Sequence, residues 1–123
     1  MVQRTMEENA GYKNLLAWKK ADELVFLVYS LTCQFPKEEL FSLTSQVRRS
    51  TLSIPTNIVE GFSRVNKKEF KRFVSIALGS LGETKYLLTV AYRLKYICQE
   101  DYSNVLNLSE NVGRLLWKFY TSL

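Results

Sequence analysis

The side chains best suited to chemistry in this sequence are basic, and they are concentrated in one segment. Between positions 47 and 73 the chain carries seven lysines and arginines against two acidic residues, which gives the segment a net charge of +5. The seven are Arg48, Arg49, Arg64, Lys67, Lys68, Lys71 and Arg72. In the rest of the chain ten basic residues balance ten acidic ones. Because a local excess of positive charge is typical of a surface that binds a polyanion, we predict that these residues contact RNA or DNA.

The alternative is that the seven residues are ordinary solvated charges. Isolated basic clusters on helices are usually of this kind, and some of the arginines could pair with Glu60 or Glu69. Asn57 and Glu60 are expected to be partly buried and to have a structural role, with Arg48 or Arg49 as possible partners of Glu60. Charge alone therefore does not decide between a nucleic-acid interface and a solvated surface.

An enzymatic or metal-binding role is not indicated. Histidine is absent from the 123 residues, which removes the commonest general base and metal ligand. Cys33 and Cys98 cannot build a zinc site alone, and Gly79 and Gly82 fall inside a predicted helix rather than in a phosphate-binding loop. We therefore predict no catalytic residues, no metal and no cofactor.

The cysteines and the apolar runs suggest a cytoplasmic protein. Cys33 and Cys98 lie far apart and suit two reduced thiols. No apolar run approaches the roughly 20 residues that are needed to cross a bilayer. Residues 1–11 are polar and lack the charged and then apolar layout of a signal peptide.

The elements that must position the basic residues are helices. Apolar residues recur at three- and four-residue spacing, which predicts helices over residues 15–35, 42–62, 67–96 and 99–121. Pro36 ends the first helix, Asn66 with Glu69 forms a capping box that opens the third, and Pro55 is expected to kink the second. Short connections favour an antiparallel, up-down-up-down four-helix bundle, all-α and a single domain over residues 1–123.

The third predicted helix carries a second apolar strip beside its main one. Ile76, Val90 and Ile97 form this strip. It is more apolar surface than one core needs, so it predicts self-association, although a wide core face would explain it equally well.

Five segments of the chain together resemble the four-helix-bundle proteins encoded in 23S rRNA intervening sequences. The segments are YKNLLAWKKA at 12–21, LTSQVRR at 43–49, SIPTNIVEGF at 53–62, KKEFKRF at 67–73 and ALGSLGE at 77–83. The resemblance covers nearly the whole chain, and the SIP-N-EG pattern after LTSQ-RR is its most specific part. Gly82 departs from the alanine that the resemblance leads us to expect.

The resemblance implies a non-enzymatic homo-oligomer, a pentameric ring, with contact to RNA or DNA through a basic surface. The same fold is shared by the accessory variability determinant proteins of diversity-generating retroelements, which bind nucleic acid and a reverse transcriptase. Two roles therefore stay open at this point. One is a nucleic-acid-binding protein of the intervening-sequence type, and the other is a scaffold that docks a reverse transcriptase and its RNA.

Overall fold

The computed structural model describes residues 11–123, and it confirms the predicted all-α fold with four helices. Each helix packs against its neighbours in the chain, and the first also packs against the last, so that the four enclose one core. The part of the chain from 11 to 123 contains no strand. The helices are α1 at Leu16–Thr32, α2 at Leu43–Phe62, α3 at Lys67–Arg93 and α4 at Gln99–Ser122, with short 3-10 turns at Tyr12–Asn14 and Lys37–Glu39.

The core is built from the apolar faces of all four helices. Leu24, Ile54, Leu88 and Leu116, one from each helix, are completely buried. Burying a side chain of this size stabilises the fold by about 1.5–3 kcal/mol, so a core of this kind holds the bundle without disulfides. Within residues 11–123, no helix is both long enough and apolar enough to span a membrane.

Two helices end earlier than the sequence predicts. The helix α1 stops at Thr32 instead of Phe35, where the Thr32 hydroxyl donates to the carbonyl of Val28 at 2.8 Å. The helix α3 stops at Arg93 instead of Tyr96, because Lys95 adopts a left-handed conformation with φ 67°. The Tyr96 N–H then bonds back to the Ala91 carbonyl, which closes the helix end.

Pro55 is buried inside α2, which remains α-helical from Leu43 to Phe62. A proline in a helix interior lacks the N–H that would bond to the preceding turn. The kink expected at this position stays a prediction.

Gly61 sets the distance between α2 and α3. A Cβ atom added at Gly61 would lie 2.7 Å from Cδ1 of Phe70 and 2.8 Å from Cβ of Phe73. Contacts this short do not occur between real carbon atoms, so only glycine lets α3 begin so close to the end of α2. By contrast, nothing lies within 4 Å of a Cβ added at Gly79 or Gly82, and α3 passes through both without interruption.

We predict opposite effects of alanine at two of these glycines. Gly61→Ala should lower the free energy of unfolding by about 1–3 kcal/mol, because the added methyl group overpacks the contact between α2 and α3. Gly82→Ala should raise it by about 0.5–1 kcal/mol, since alanine is the better helix former and has open space there. Urea unfolding followed by circular dichroism measures both. Equal stability of Gly61→Ala and the parent protein would contradict the assigned contact.

Candidate nucleic-acid interface

Five of the seven predicted site residues lie at one end of the bundle. Arg64 is in the connection between α2 and α3, and Lys67, Lys68, Lys71 and Arg72 follow in the first two turns of α3. Lys71 is half-buried, and the other four are exposed. The N-terminus of a helix carries a partial positive charge and unpaired N–H groups, which attract anions. The five cationic side chains and the positive end of the helix therefore both attract anions to this end of the bundle.

The start of α3 is fixed by a cap. The Asn66 side-chain oxygen accepts a hydrogen bond from the Glu69 N–H at 2.8 Å, as the sequence predicts. The Glu69 carboxylate does not complete a reciprocal box, because it accepts a hydrogen bond from Arg72 Nε at 2.9 Å. The cap fixes which residues stand in the first turn, and so places Lys67 and Lys68 at the helix terminus.

Aromatic rings lie under three of the cations. The guanidinium groups of Arg64 and Arg72 lie 4.9 Å and 4.6 Å from the centre of the Phe73 ring. The Lys71 ammonium lies 4.7 Å from the centre of the Tyr120 ring in α4. Cations at this distance are attracted by the ring electrons, which restricts their side chains without removing their charge. The rings thus hold the positive charges in a defined arrangement.

Two of the arginines are also paired with carboxylates, as the solvated-surface alternative allows. Arg64 contacts Glu60 and Arg72 contacts Glu69, at 2.8 Å and 2.9 Å. All four side chains are substantially exposed, so these pairs are screened by solvent and add little stability. Glu60 therefore pairs with Arg64, four residues on, instead of with Arg48 or Arg49.

Two further lysines, which were not predicted from the sequence, lie at this end of the bundle. Lys13 is next to Tyr12, whose ring lies 6.3 Å from that of Phe62 at the end of α2. Lys118 is next to Phe119, whose ring lies 5.1 Å from that of Phe70 in α3. Both lysines are exposed, and they are distant from 47–73 in sequence. We define the basic end as Lys13, Arg64, Lys67, Lys68, Lys71, Arg72 and Lys118.

Arg48 and Arg49 do not lie at the basic end. Arg49 precedes the end of α2 by 13 residues, which corresponds to about 20 Å along a helix. Arg48 is half-buried: its Nε donates to the Thr32 hydroxyl at 2.8 Å, and its guanidinium lies 4.8 Å from the centre of the Tyr29 ring. It ties α2 to α1. The structure therefore places Arg48 and Arg49 apart from the other five predicted residues, and their contact with nucleic acid stays a prediction.

Arg49 instead borders a polar groove between α2 and α3. Two hydroxyl pairs cross between the helices, Ser50 with Thr84 at 2.8 Å and Ser53 with Ser80 at 2.9 Å. Asn57 is half-buried and donates to the Ser53 hydroxyl at 2.9 Å, which is the structural role expected for it. The groove has a volume of about 430 Å³ and is lined by Gln46, Arg49, Ser50, Ser53, Ser80 and Glu83.

The apolar strip predicted to drive self-association belongs mostly to the core. Ile97 is only 5% exposed, and Val90 packs against the core, while Ile76 is 40% exposed. Because α3 ends at Arg93, Ile97 does not continue the helical strip, and its side chain packs in the core. Large apolar side chains are exposed instead around α1 and α2, where they include Phe26, Tyr29, Leu40, Phe41 and Leu52.

Comparisons with known proteins give a family and a fold. The sequence model of a family described as 23S rRNA-intervening sequence protein matches residues 13–118. One similar solved structure is that of a protein of unknown function from the S23 ribosomal protein family of Bacteroides thetaiotaomicron. It is 27% identical, the alignment covers 85% of this chain and 98% of that one, and the TM-score is 0.79. No curated protein sequence matches the chain.

The ion pair between Arg72 and Glu69 predicts how the pKa of Glu69 responds to mutation. The hydrogen bond and the charge of Arg72 lower the pKa of the Glu69 carboxyl, with smaller contributions from Arg64 and Lys68. The stabilisation from this pair is therefore present above the unfolded pKa of Glu69 and is lost as pH falls through the folded pKa. Arg72→Gln should raise the pKa of Glu69 toward its ordinary value, and Lys68→Gln should raise it less. An NMR pH titration of the Glu69 carboxyl carbon measures this shift, and an unchanged pKa in Arg72→Gln would contradict the pairing.

Proposed function

The chain belongs to the 23S rRNA-intervening sequence protein family, and on that premise we propose that it is a non-enzymatic, cytoplasmic protein that binds RNA or DNA through its basic end. The observation that carries the proposal is the gathering of seven cationic side chains at one end, with Glu60 and Glu69 as the carboxylates paired there. Side chains of this kind neutralise phosphates without reading sequence.

The seven cations differ in how they are held, and this suggests their roles. Lys67 and Lys68 are exposed at the N-terminus of α3 and make no ion pair within residues 11–123. They can turn toward a phosphate at little cost. Arg64 and Arg72 already contact carboxylates, but exposed pairs are weak, so a phosphate can replace the carboxylate. Lys67 and Lys68 are therefore the first candidates for contact with the nucleic-acid backbone.

Self-association is the second part of the proposal. Tyr29, Leu40, Phe41 and Leu52 line one surface depression, and Phe41 is 92% exposed. A contiguous exposed apolar patch of this kind is typical of a surface that associates with a partner. The family resemblance implies a pentameric ring. Repeating the basic end around a ring would strengthen its attraction for a polyanion well beyond that of one copy, because several weak contacts then act together.

We predict that reversing two charges weakens binding strongly without harming the fold. Lys67→Glu with Lys68→Glu should lower affinity for a short RNA or DNA by at least about tenfold and make the slope of log K against log salt shallower by about two. Because acidic residues are favourable in the first turn of a helix, this double variant should stay folded. Fluorescence anisotropy at several salt concentrations measures the binding, and circular dichroism checks the fold.

The matched control carries the same charge change at the other end of the bundle. Lys37 and Arg93 are exposed there, and Lys37→Glu with Arg93→Glu should leave most of the binding intact. If both double variants lose affinity equally, net charge and not the basic end would be responsible. If the parent protein binds no RNA or DNA in a salt-sensitive way, the proposal is wrong.

We predict that the protein has the mass of an oligomer in solution. Light scattering at micromolar concentration should give a multiple of the 14.3 kDa chain mass, with about five copies for the ring. Phe41→Glu should reduce that mass while leaving the helical content unchanged, since Phe41 contributes little to the core of one copy. A parent protein with the mass of one chain would contradict the assembly.

The alternative role, as an accessory protein of a retroelement, is distinguished from nucleic-acid binding by the partner of the protein. A bundle that acts as a scaffold for a reverse transcriptase would co-purify with that enzyme and bind free nucleic acid weakly. The exposed apolar side chains around α1 and α2 are compatible with such a protein partner. Salt-sensitive binding of free RNA or DNA that depends on Lys67 and Lys68 would favour the nucleic-acid-binding role instead.

A further inference from the structure

The polar groove between α2 and α3 is unusual in a helix bundle. The contact between two helices of a bundle is usually filled by apolar side chains. Here hydroxyl groups bridge the two helices, because Ser50 is hydrogen-bonded to Thr84 and Ser53 to Ser80. Ser50 and Thr84 are buried, and the volume of about 430 Å³ lies within the range of small-molecule sites. The groove is therefore large enough and polar enough to hold a ligand.

The groove presents one hydroxyl donor without an acceptor. Ser53 accepts from the Asn57 amide and shares a hydrogen bond with Ser80. Two hydroxyls carry two protons, and only one is used between them. Among residues 11–123 the other proton has no acceptor, so either Ser53 or Ser80 can donate to a ligand in the groove.

The groove also carries opposite charges that are not paired with each other. Arg49 and Glu83 both line it and both are exposed, yet neither makes an ion pair within the described part of the chain. Arg49 offers a planar set of N–H donors, whereas the Glu83 carboxylate can only accept. A ligand that fits must therefore present acceptors to Arg49 and donors to Glu83.

Among the nucleobases, guanine matches this arrangement. Its O6 and N7 atoms are two acceptors that an arginine can contact together, and its N1–H and N2–H groups are two adjacent donors for one carboxylate. Adenine and cytosine place a ring acceptor beside their amino group, which a carboxylate repels. Uracil has one N–H between two carbonyls. We propose that this groove binds a guanine base, with Glu83 on its N1–H and N2–H edge and Arg49 on O6 and N7.

The inference rests on the proposed function, because the groove and the basic end share one face of α3. Arg72 and Glu83 are 11 residues apart, which is three helical turns and about 16 Å. That length corresponds to about five stacked nucleotides at 3.4 Å each. Gly79 lies between them, and nothing is within 4 Å of a Cβ placed on it. A single strand bound at the basic end by its phosphates can therefore extend along α3 and place one base in the groove.

Binding of short uridine RNAs with and without one guanosine tests the inference. A guanosine in the reach of the groove should raise affinity about tenfold, since a bidentate base contact contributes about 1–3 kcal/mol and 1.4 kcal/mol is a factor of ten. Inosine, which lacks the N2 amino group, should give a smaller gain. Glu83→Gln and Arg49→Gln should each remove the guanosine advantage, measured in each variant as the ratio of its affinities for the guanosine-containing and the all-uridine RNA. Glu23→Gln, an exposed carboxylate on α1, is the matched control and should retain the advantage.

The outcomes distinguish this inference from the proposed function. If uridine RNA binds in a manner that depends on Lys67 and Lys68 but guanosine adds nothing, the groove assignment is wrong and the proposed function stands. If no RNA binds, calorimetry with GMP and with AMP decides: GMP binding that Glu83→Gln abolishes would identify a free-nucleotide site, and its absence would overturn the inference. Equal affinity for guanosine- and adenosine-containing RNAs would also overturn it.

Discussion

The close approach of α2 and α3 is the constraint on which the rest of the structure depends. Gly61 has no side chain, so the rings of Phe70 and Phe73 can pack directly on the end of α2. Further along the two helices, Ser50 meets Thr84 and Ser53 meets Ser80 through hydrogen bonds between short side chains. Bulky apolar residues at these positions would separate the helices. Small residues at these points therefore let α2 and α3 approach more closely than bulky side chains there would allow.

Both candidate sites follow from this contact. At one end, Phe73 is held where its ring lies beneath Arg64 and Arg72, and the cap at Asn66 begins α3 directly after the turn. Further along, the hydroxyl contacts leave an open polar groove between Arg49 and Glu83. A flexible or wider junction would leave the basic side chains as separate solvated charges. The close contact brings Arg64 and Arg72 over the same ring, and the groove lies further along the same helix.

The sequence predicted what depends on local pattern and missed what depends on distant contacts. Apolar periodicity gave four helices with ends within three residues of those observed, because each helix buries one face. The early end of α3 carried no signal, since Lys95 occupies a left-handed position where glycine is usual. The role of Arg48 in linking α1 and α2 could not be predicted, because its partners Tyr29 and Thr32 lie on another helix. Lys13 and Lys118 were missed for the same reason, although the order of the helices in an up-down-up-down bundle would have brought them to the basic end.

Lysine footprinting shows which cations meet the nucleic acid, because it reads each ammonium group separately in the unmodified protein. The protein is treated with an amine-acetylating reagent with and without a short RNA, and mass spectrometry measures the modification of every lysine. If the basic end binds the nucleic acid, RNA protects Lys67 and Lys68 strongly and leaves Lys37 and Lys95, at the opposite end, as reactive as before. Equal protection at both ends, or protection confined to Lys37 and Lys95, would contradict it.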